Sequence, residues 1–456
     1  MYTLIAIAGL GILCLIAEIF NARKAIVPVT IVGLLAILGL TATGLNNTAD
    51  TYNNMIVFDS FATTFSCLFI LLTVFLIALT PSFHAKQFHK ISDFISIKLF
   101  LLTGAVAMVA FGNLSMFFLG IEILSISLYV LAASNRLSLK SNEAGMKYFL
   151  MGAFASGFIL FGIALIYGAV GSFDMVTIQE AGTSADVEDW FYIGAILLSI
   201  GMLFKIAAAP FHFWAPDVYE GSPALTTALM STLAKVVAMA AFFKLVSAIN
   251  VNLPDSSQTA LMIISILSMT IGNIMALRQT NVKRMLAFSG ISHAGFMLMT
   301  LLAVSTSAGV LLYYTSAYAL AGIAAFSVVL YVTKDKDNED IFNFNGLGKT
   351  SPLLAAILTG ALLSMAGIPV FSGFLGKVFL FDKMLSAGHI ILVIVAVVNS
   401  IISVGYYFKL ILAMYTKDAT EKAMPVPFVY HAVATVAILL NIAIGLYPSF
   451  ILDLLV

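Results

Sequence analysis

Three lysines stand in stretches where a chain this apolar has little reason to keep them. Lys205 closes the run Ile193 to Phe204, five positions before Pro210; Lys235 lies inside Ala228 to Ala238; Lys377 lies in the run Leu353 to Phe381, beyond Pro369. A lysine at the centre of a bilayer costs about 2.5–3.5 kcal/mol on insertion scales, so lysines kept beside two helix breaks point to movement of charge through the membrane. All three are Lys and none is Arg; a buried ammonium can give up its proton, whereas a guanidinium stays charged. Glu122, within Phe117-Phe-Leu-Gly-Ile-Glu122-Ile-Leu-Ser, is the acid at matching depth, and an ion pair to Lys205 is its expected partner. The plainer alternative is a fixed ion pair that only ties two helices together. His293 can pass a proton in at one ring nitrogen and out at the other, although a lone membrane histidine is as often a packing residue. His212, beside the first break, has the same two readings.

The elements that must hold these residues are membrane helices. The chain has 456 residues, 61% of them hydrophobic and 10% charged, with a mean hydropathy of +1.06. That composition predicts an all-α polytopic membrane protein, since runs of about 20 apolar residues span a bilayer as helices. Fourteen such runs occur, at 2–21, 26–43, 59–80, 94–111, 113–133, 145–171, 190–211, 223–250, 256–278, 284–304, 307–333, 351–381, 386–415 and 428–452. They are continuously apolar and do not alternate, which excludes a transmembrane β-barrel. The run Thr3 to Phe20 lacks the basic flank and small-residue site of a cleaved signal, so it is expected to remain as helix one.

Pro210 and Pro369 each follow small residues and are 369 − 210 = 159 positions apart, an offset close to that between helices four and nine. Helices four to eight and nine to thirteen are therefore expected to be two inverted five-helix repeats, with helices seven and twelve broken. No linker divides the chain. The expected organisation is one membrane domain, 1–456, with helices one to three in 1–93, the repeats in 94–250 and 256–415, and a last helix in 428–456. Lys205 precedes its break and Lys377 follows its own; inversion puts both on the outward side.

Fifteen of the 22 basic residues fall in alternate loops, among them Arg23, Lys86, Lys140, Lys147, Lys283, Arg284, Lys334 and Lys422, while acids such as Asp59, Asp174, Asp186 and Asp255 fall in the others. By the positive-inside rule both termini face outward. Lys98, Lys244 and Lys409 sit in spans and are expected to snorkel to an interface. Glu18, in helix one, has no obvious partner. Zero net charge without a basic patch gives no indication of nucleic acid. Cys14 and Cys67 cannot supply the thiolates of an iron–sulfur cluster, the six histidines make no clear ligand set, and no nucleotide loop is present, so the chain itself is expected to carry no metal or cofactor.

Several stretches resemble the antiporter-like subunits shared by respiratory complex I and the multisubunit Na⁺/H⁺ antiporters. They are Lys205-Ile-Ala-Ala-Ala-Pro-Phe-His-Phe-Trp-Ala-Pro-Asp-Val-Tyr-Glu-Gly-Ser-Pro223, Phe118 to Glu122, Glu143-Ala-Gly-Met-Lys147-Tyr-Phe, Asn281-Val-Lys-Arg-Met-Leu-Ala-Phe-Ser, and Gly367 to Lys377. One branch of that family typically has glutamate where Lys377 stands, and another continues into a long lateral helix beyond the position of Val456; the resemblance is to the remaining branch. It implies a proton-translocating membrane subunit of an NADH–quinone oxidoreductase, with a Na⁺/H⁺ antiporter subunit as the alternative. It further implies that Glu122 and Lys205 form a coupling pair, that Lys235 is a central relay and Lys377 the terminal proton-exchanging lysine, and that Lys147 and His293 lie along the same polar axis. NADH, FMN, iron–sulfur clusters and quinone would reside in partner subunits. The expected neighbours are another antiporter-like subunit and a small K-like subunit in a bacterial inner membrane. A scaffold whose polar row merely packs helices is the non-transport alternative.

Overall fold

Long apolar runs leave the backbone no partner but itself, and they fold as helices. A computed structural model describes residues 1–45, 50–84, 90–182, 188–249, 255–334, 336, 338–419 and 426–455. Lys86, His89, Asp186 and Lys422 lie outside the described residues. The chain forms a polytopic bundle. The first crossings are α1 (Tyr2–Ile19), α2 (Arg23–Ala42), α3 (Ser60–Phe83), α4 (Ile91–Val109), α5 (Leu114–Ala132) and α6 (Leu139–Val170). A two-stranded hairpin, β1 (Asp50–Tyr52) with β2 (Ile56–Phe58), joins α2 to α3. The polar stretch after α6 contains a short helix, α7 (Met175–Gly182).

Helix seven is in two pieces, α8 (Asp189–Lys205) and α9 (Trp214–Gly221). Helix eight is α10 (Ala224–Leu229), a π-helical turn at Met230–Ala234, and α11 (Lys235–Ile249). The second repeat follows as α12 (Asp255–Leu277), α13 (Val282–Leu298) and α14 (Val304–Val332). A one-turn helix, α15 (Leu347–Thr350), precedes the broken pair α16 (Pro352–Ala366) and α17 (Ser372–Ser386), and the chain closes with α18 (Ile390–Thr416), α19 (Phe428–Leu446) and α20 (Ser449–Leu452).

Residues 282–332 form an apolar helical stretch of 51 residues, about 76 Å if straight and more than twice the hydrocarbon thickness. It is two crossings. His293 and Tyr314 would be about 31 Å apart along one rod, yet their side chains hydrogen-bond at 2.8 Å. The chain therefore reverses through the 3₁₀ turn Met299–Ala303.

Packing repeats between the halves. Helix α4 lies against α5 as α12 lies against α13, and α6 lies against α8 as α14 lies against α16 and α17. In a bilayer such contacts depend on close backbone approach. At the α6–α8 crossing Gly162 and Gly194 face one another, and a Cβ on either would sit 2.7 Å from the other's carbonyl oxygen. That approach sets where the end of α8, and so Lys205, meets α6.

Both breaks put residues other than glycine in left-handed backbone: Ala207 at φ 57° and Val370 at φ 84°, the latter after Gly367 at φ 86°. Such strain persists only where the surroundings fix it. At the first break the Ala209 N–H donates to Ser268 Oγ of α12 at 2.9 Å, and Trp214 Nε1 donates to the Phe204 carbonyl at 3.1 Å. At the second, Gly373 N–H donates to Ser364 Oγ at 3.3 Å. Backbone groups released from helix geometry are thus satisfied by protein, as hydrocarbon requires.

Candidate functional site

Glu122 and Lys205 do not form the direct ion pair that the sequence predicts. Ser156 of α6 lies between them: its hydroxyl donates to Glu122 Oε1 at 2.5 Å and accepts from Lys205 Nζ at 3.3 Å. Lys205 also donates to Ser125 Oγ at 2.8 Å. Ser125 is three residues after Glu122, so α5 presents acid and hydroxyl on one face. The physical reason is spacing: α6 is wedged between α5 and the end of α8, and its serine occupies the gap that an ion pair would have closed.

Lys235 is the first residue after the π-helical turn and is 3% exposed. Its Nζ donates to the Gly290 carbonyl of α13 at 2.6 Å. A Cβ at Gly290 would meet that Nζ at 3.0 Å and the Tyr318 hydroxyl at 3.1 Å, so the absence of a side chain there makes the room. One turn before Lys235, Ser231 Oγ lies 3.3 Å from the Tyr318 hydroxyl.

His293 is held on both ring nitrogens, Nδ1 at 2.8 Å from Tyr314 OH and Nε2 at 3.2 Å from Tyr407 OH. Tyr407 in turn lies 2.5 Å from Ser289 Oγ. An unbroken hydroxyl–imidazole–hydroxyl arrangement is what a proton relay needs. Beside it is a cavity of about 10 Å³, bounded by His293, Tyr314, Tyr318 and Ser364, on the order of one water molecule in size.

Lys377, on α17 just past the break, donates to the Ala366 carbonyl and to Ser400 Oγ, each at 2.8 Å. Its Nζ lies 5.0 Å above the Phe296 ring, one helical turn from His293. Ala366 ends α16, so the break supplies the free carbonyl that receives the ammonium.

Other expectations change. Lys147 is away from the buried row: it pairs with Glu143 at 2.7 Å and Asp217 at 3.3 Å, with 43% of its side chain exposed. Asp217 also meets Arg284 at 2.6 Å, and Arg284 meets Glu220 at 3.0 Å. Partial burial pushes the Asp217 carboxyl up, but hydrogen bonds from Arg284 and Lys147 outweigh this and hold it below the usual carboxylate range. Lys98 does not snorkel. It is 2% exposed and donates to Thr80 Oγ1 at 2.6 Å, because α3 covers the path its side chain would take. Lys244 bonds Asp59 at 3.2 Å and the Val109 carbonyl at 2.8 Å, while Lys409 reaches the Gln279 carbonyl at 2.8 Å. Glu18 has a partner after all, since Arg23 Nε donates to its Oε1 at 2.6 Å. His212 is buried at the break, stacked on Phe213, apart from the hydrogen bonds of the row.

Sequence reasoning missed Ser125, Ser156, Ser231, Tyr314, Tyr318, Tyr407 and Ser400. Hydroxyls are common in membrane helices, where they bond the preceding turn, and nothing in spacing separates these from the rest.

The family model described as NADH:quinone oxidoreductase/Mrp antiporter, transmembrane, matches residues 112–403, which runs from α5 into α18 and includes Glu122, Ser156, Lys205, Lys235, His293 and Lys377. The chain belongs to this family. Among the family's curated members, NADH-quinone oxidoreductase subunit N of Flavobacterium johnsoniae is 68% identical, with 100% of each chain covered. Among solved structures, respiratory complex I from Thermus thermophilus with bound aureothin contains a chain 30% identical with a TM-score of 0.86, covering 99% of this chain and 98% of that one. A chain of the Mrp complex from Dietzia sp. DQ12-45-1b is 21% identical at a TM-score of 0.86, covering 99% and 95%, a likeness of fold alone.

Proposed function

We propose that this chain is a proton-translocating membrane subunit of a bacterial NADH–quinone oxidoreductase, at the position its relatives call subunit N. The observation that carries the reading is the buried row itself: Glu122, Ser156 and Lys205 in the first repeat, Lys235 bonded into α13, His293 between two tyrosines, and Lys377 at the second break. A row that only packed helices would pair its charges. Here, among the described residues, Lys235 and Lys377 bond only neutral oxygens. A change at Glu122–Lys205 alters the charge felt by Lys235 and then by Lys377, and each responds by taking up or releasing a proton through the adjacent hydroxyls. Both termini face the outer side, and the basic loops face the cytoplasm. NADH, FMN, iron–sulfur centres and quinone belong to partner subunits, and the neighbours are a second antiporter-like subunit and a small K-like one. The name of the 68% identical relative favours this over an antiporter subunit.

Lys235→Ala and Lys377→Ala in the assembled complex test the reading. Each is expected to lower NADH-driven proton pumping on the order of tenfold, equivalent to about 1.4 kcal/mol on a rate. Wild-type pumping in both would refute it. Redox subunits that co-purify in mild detergent, with no Na⁺ dependence of transport, distinguish the oxidoreductase from the antiporter.

A further inference from the structure

A polar cavity of about 330 Å³ opens at the end of the bundle that carries the basic loops. His84, Ser134, Lys140, Glu220, Lys283 and Glu339 are among the residues that line it. The row described above uses none of these residues. Lys283 is 2% exposed, and its Nζ meets Glu339 Oε1 at 2.8 Å and the Ser222 carbonyl at 2.8 Å. The segment around Glu339 is fastened to the start of α13: Val282 N–H donates to the Glu339 carbonyl at 2.8 Å, and Ile341 N–H donates to the Thr280 carbonyl at 2.8 Å.

Lys283 and Gly290 are seven residues apart on α13, two turns, so they share one face at a separation of about 10 Å. Gly290 is the carbonyl that holds Lys235. Two lysines therefore bridge α13 to the first repeat: Lys283 reaches from α13 to Ser222, the residue capping α9, and Lys235 reaches from α11 to α13. At the Lys235 end, Ser231 and Tyr318 lie within 3.3 Å of each other, and the Tyr318 hydroxyl and Lys235 Nζ both border the space over Gly290.

We propose that Glu339 and Lys283 form a proton-uptake pair that feeds Lys235 from the cavity. The pair starts as carboxylate and ammonium. Lys283 gives its proton toward neutral Lys235 by way of Tyr318, Ser231 and intervening water, and becomes an amine. Glu339 takes a proton from the cavity and passes it to Lys283, which restores carboxylate and ammonium. One proton has moved from the cavity to Lys235 and nothing else has changed. The remaining charged groups that line the cavity are Lys140, Lys334, Lys336 and Glu220. The inference rests on the proton-translocating reading above.

The discriminating variant is Lys283→Arg. Arginine preserves the charge and the ion pair with Glu339 but cannot release a proton, so a merely structural pair tolerates it and an uptake pair does not. In inside-out vesicles carrying the assembled complex, Lys283→Arg and Glu339→Gln are each expected to lower NADH-driven proton uptake on the order of tenfold, with Glu339→Asp recovering most of it. Wild-type uptake in Lys283→Arg overturns the proposal. Should these variants fail to assemble, Ser134→Cys in a Cys14→Ser, Cys67→Ser background supplies the second test. A cationic thiol reagent should label the cavity wall from the cytoplasmic face and block uptake; complete labelling with unchanged uptake also overturns the proposal. A parallel Lys235→Ala vesicle separates the two readings. If it loses uptake while Lys283→Arg does not, only the uptake pair falls; if it pumps normally, the proton row itself falls.

Discussion

Ser156 is the residue whose placement most changes the chemistry of the first repeat. An ion pair in direct contact is a clasp that must be pulled open, whereas a serine that donates to Glu122 and accepts from Lys205 lets one proton shift alter both neighbours. Hydrogen bonds to charged groups are worth about 1.5–3 kcal/mol. Ser156→Ala should accordingly weaken the Glu122–Lys205 link by about 1.5 kcal/mol and lower the number of protons pumped per NADH oxidised in the assembled complex. An unchanged ratio would show that the hydroxyl is only a spacer. Lys98 makes the complementary point: a buried lysine bonded to a single threonine was expected at an interface, because a side chain's exit route is not encoded in its own helix.

At the scale of elements, the features that matter are departures from ideal helix. The π-helical turn at Met230–Ala234 leads directly into Lys235, and such bulges change which face the following residues present. The breaks at Ile206–Phe213 and Gly367–Phe371 free carbonyls, one of which, on Ala366, receives Lys377. Helix contacts then fix distances across the row. Gly194→Val would drive a side chain into Gly162 of α6, and overpacking of this kind costs about 1–3 kcal/mol. We expect a lowered melting temperature for the complex and, because α8 is displaced, reduced proton pumping in the fraction that remains folded. A normal melting temperature would mean that the crossing relaxes without strain.

The whole molecule is tied across its halves at one end by Glu143, Lys147, Asp217, Arg284 and Glu220, a network spanning α6, α9 and α13. Because Asp217 is held below the usual carboxylate range, its contribution to stability is full above the unfolded value of about 4 and is lost as pH falls through the lower folded value. Asp217→Asn lacks that contribution at neutral pH. The difference in melting temperature between wild type and variant should therefore be largest near pH 7 and shrink toward pH 3.5 or so. High salt should shrink it as well, since the network is partly exposed. A difference independent of both pH and salt would assign the effect to packing.

Hydropathy alone determined the class of this protein, because fourteen apolar runs have no solution in a bilayer except helices. The lysines and prolines within those runs were legible for the same reason: a charge or a missing N–H in hydrocarbon is conspicuous against its neighbours. Lys205, Lys235, Lys377, Glu122 and His293 all proved to be buried or half-buried at helix contacts. Lys147 did not, since a lysine near a helix end reads alike whether it faces the core or the rim. The partners of each charge were decided only by tertiary structure. Hydroxyls from α5, α6 and α18 and carbonyls from α13 and α16 reach the lysines across distances in sequence of 11 to 80 residues. Helix crossing, set by close glycine contacts and by backbone breaks, determines which of many similar serines and tyrosines arrives there. The cavity above Lys283 exists for the same reason, as space left between elements that no single stretch of sequence specifies.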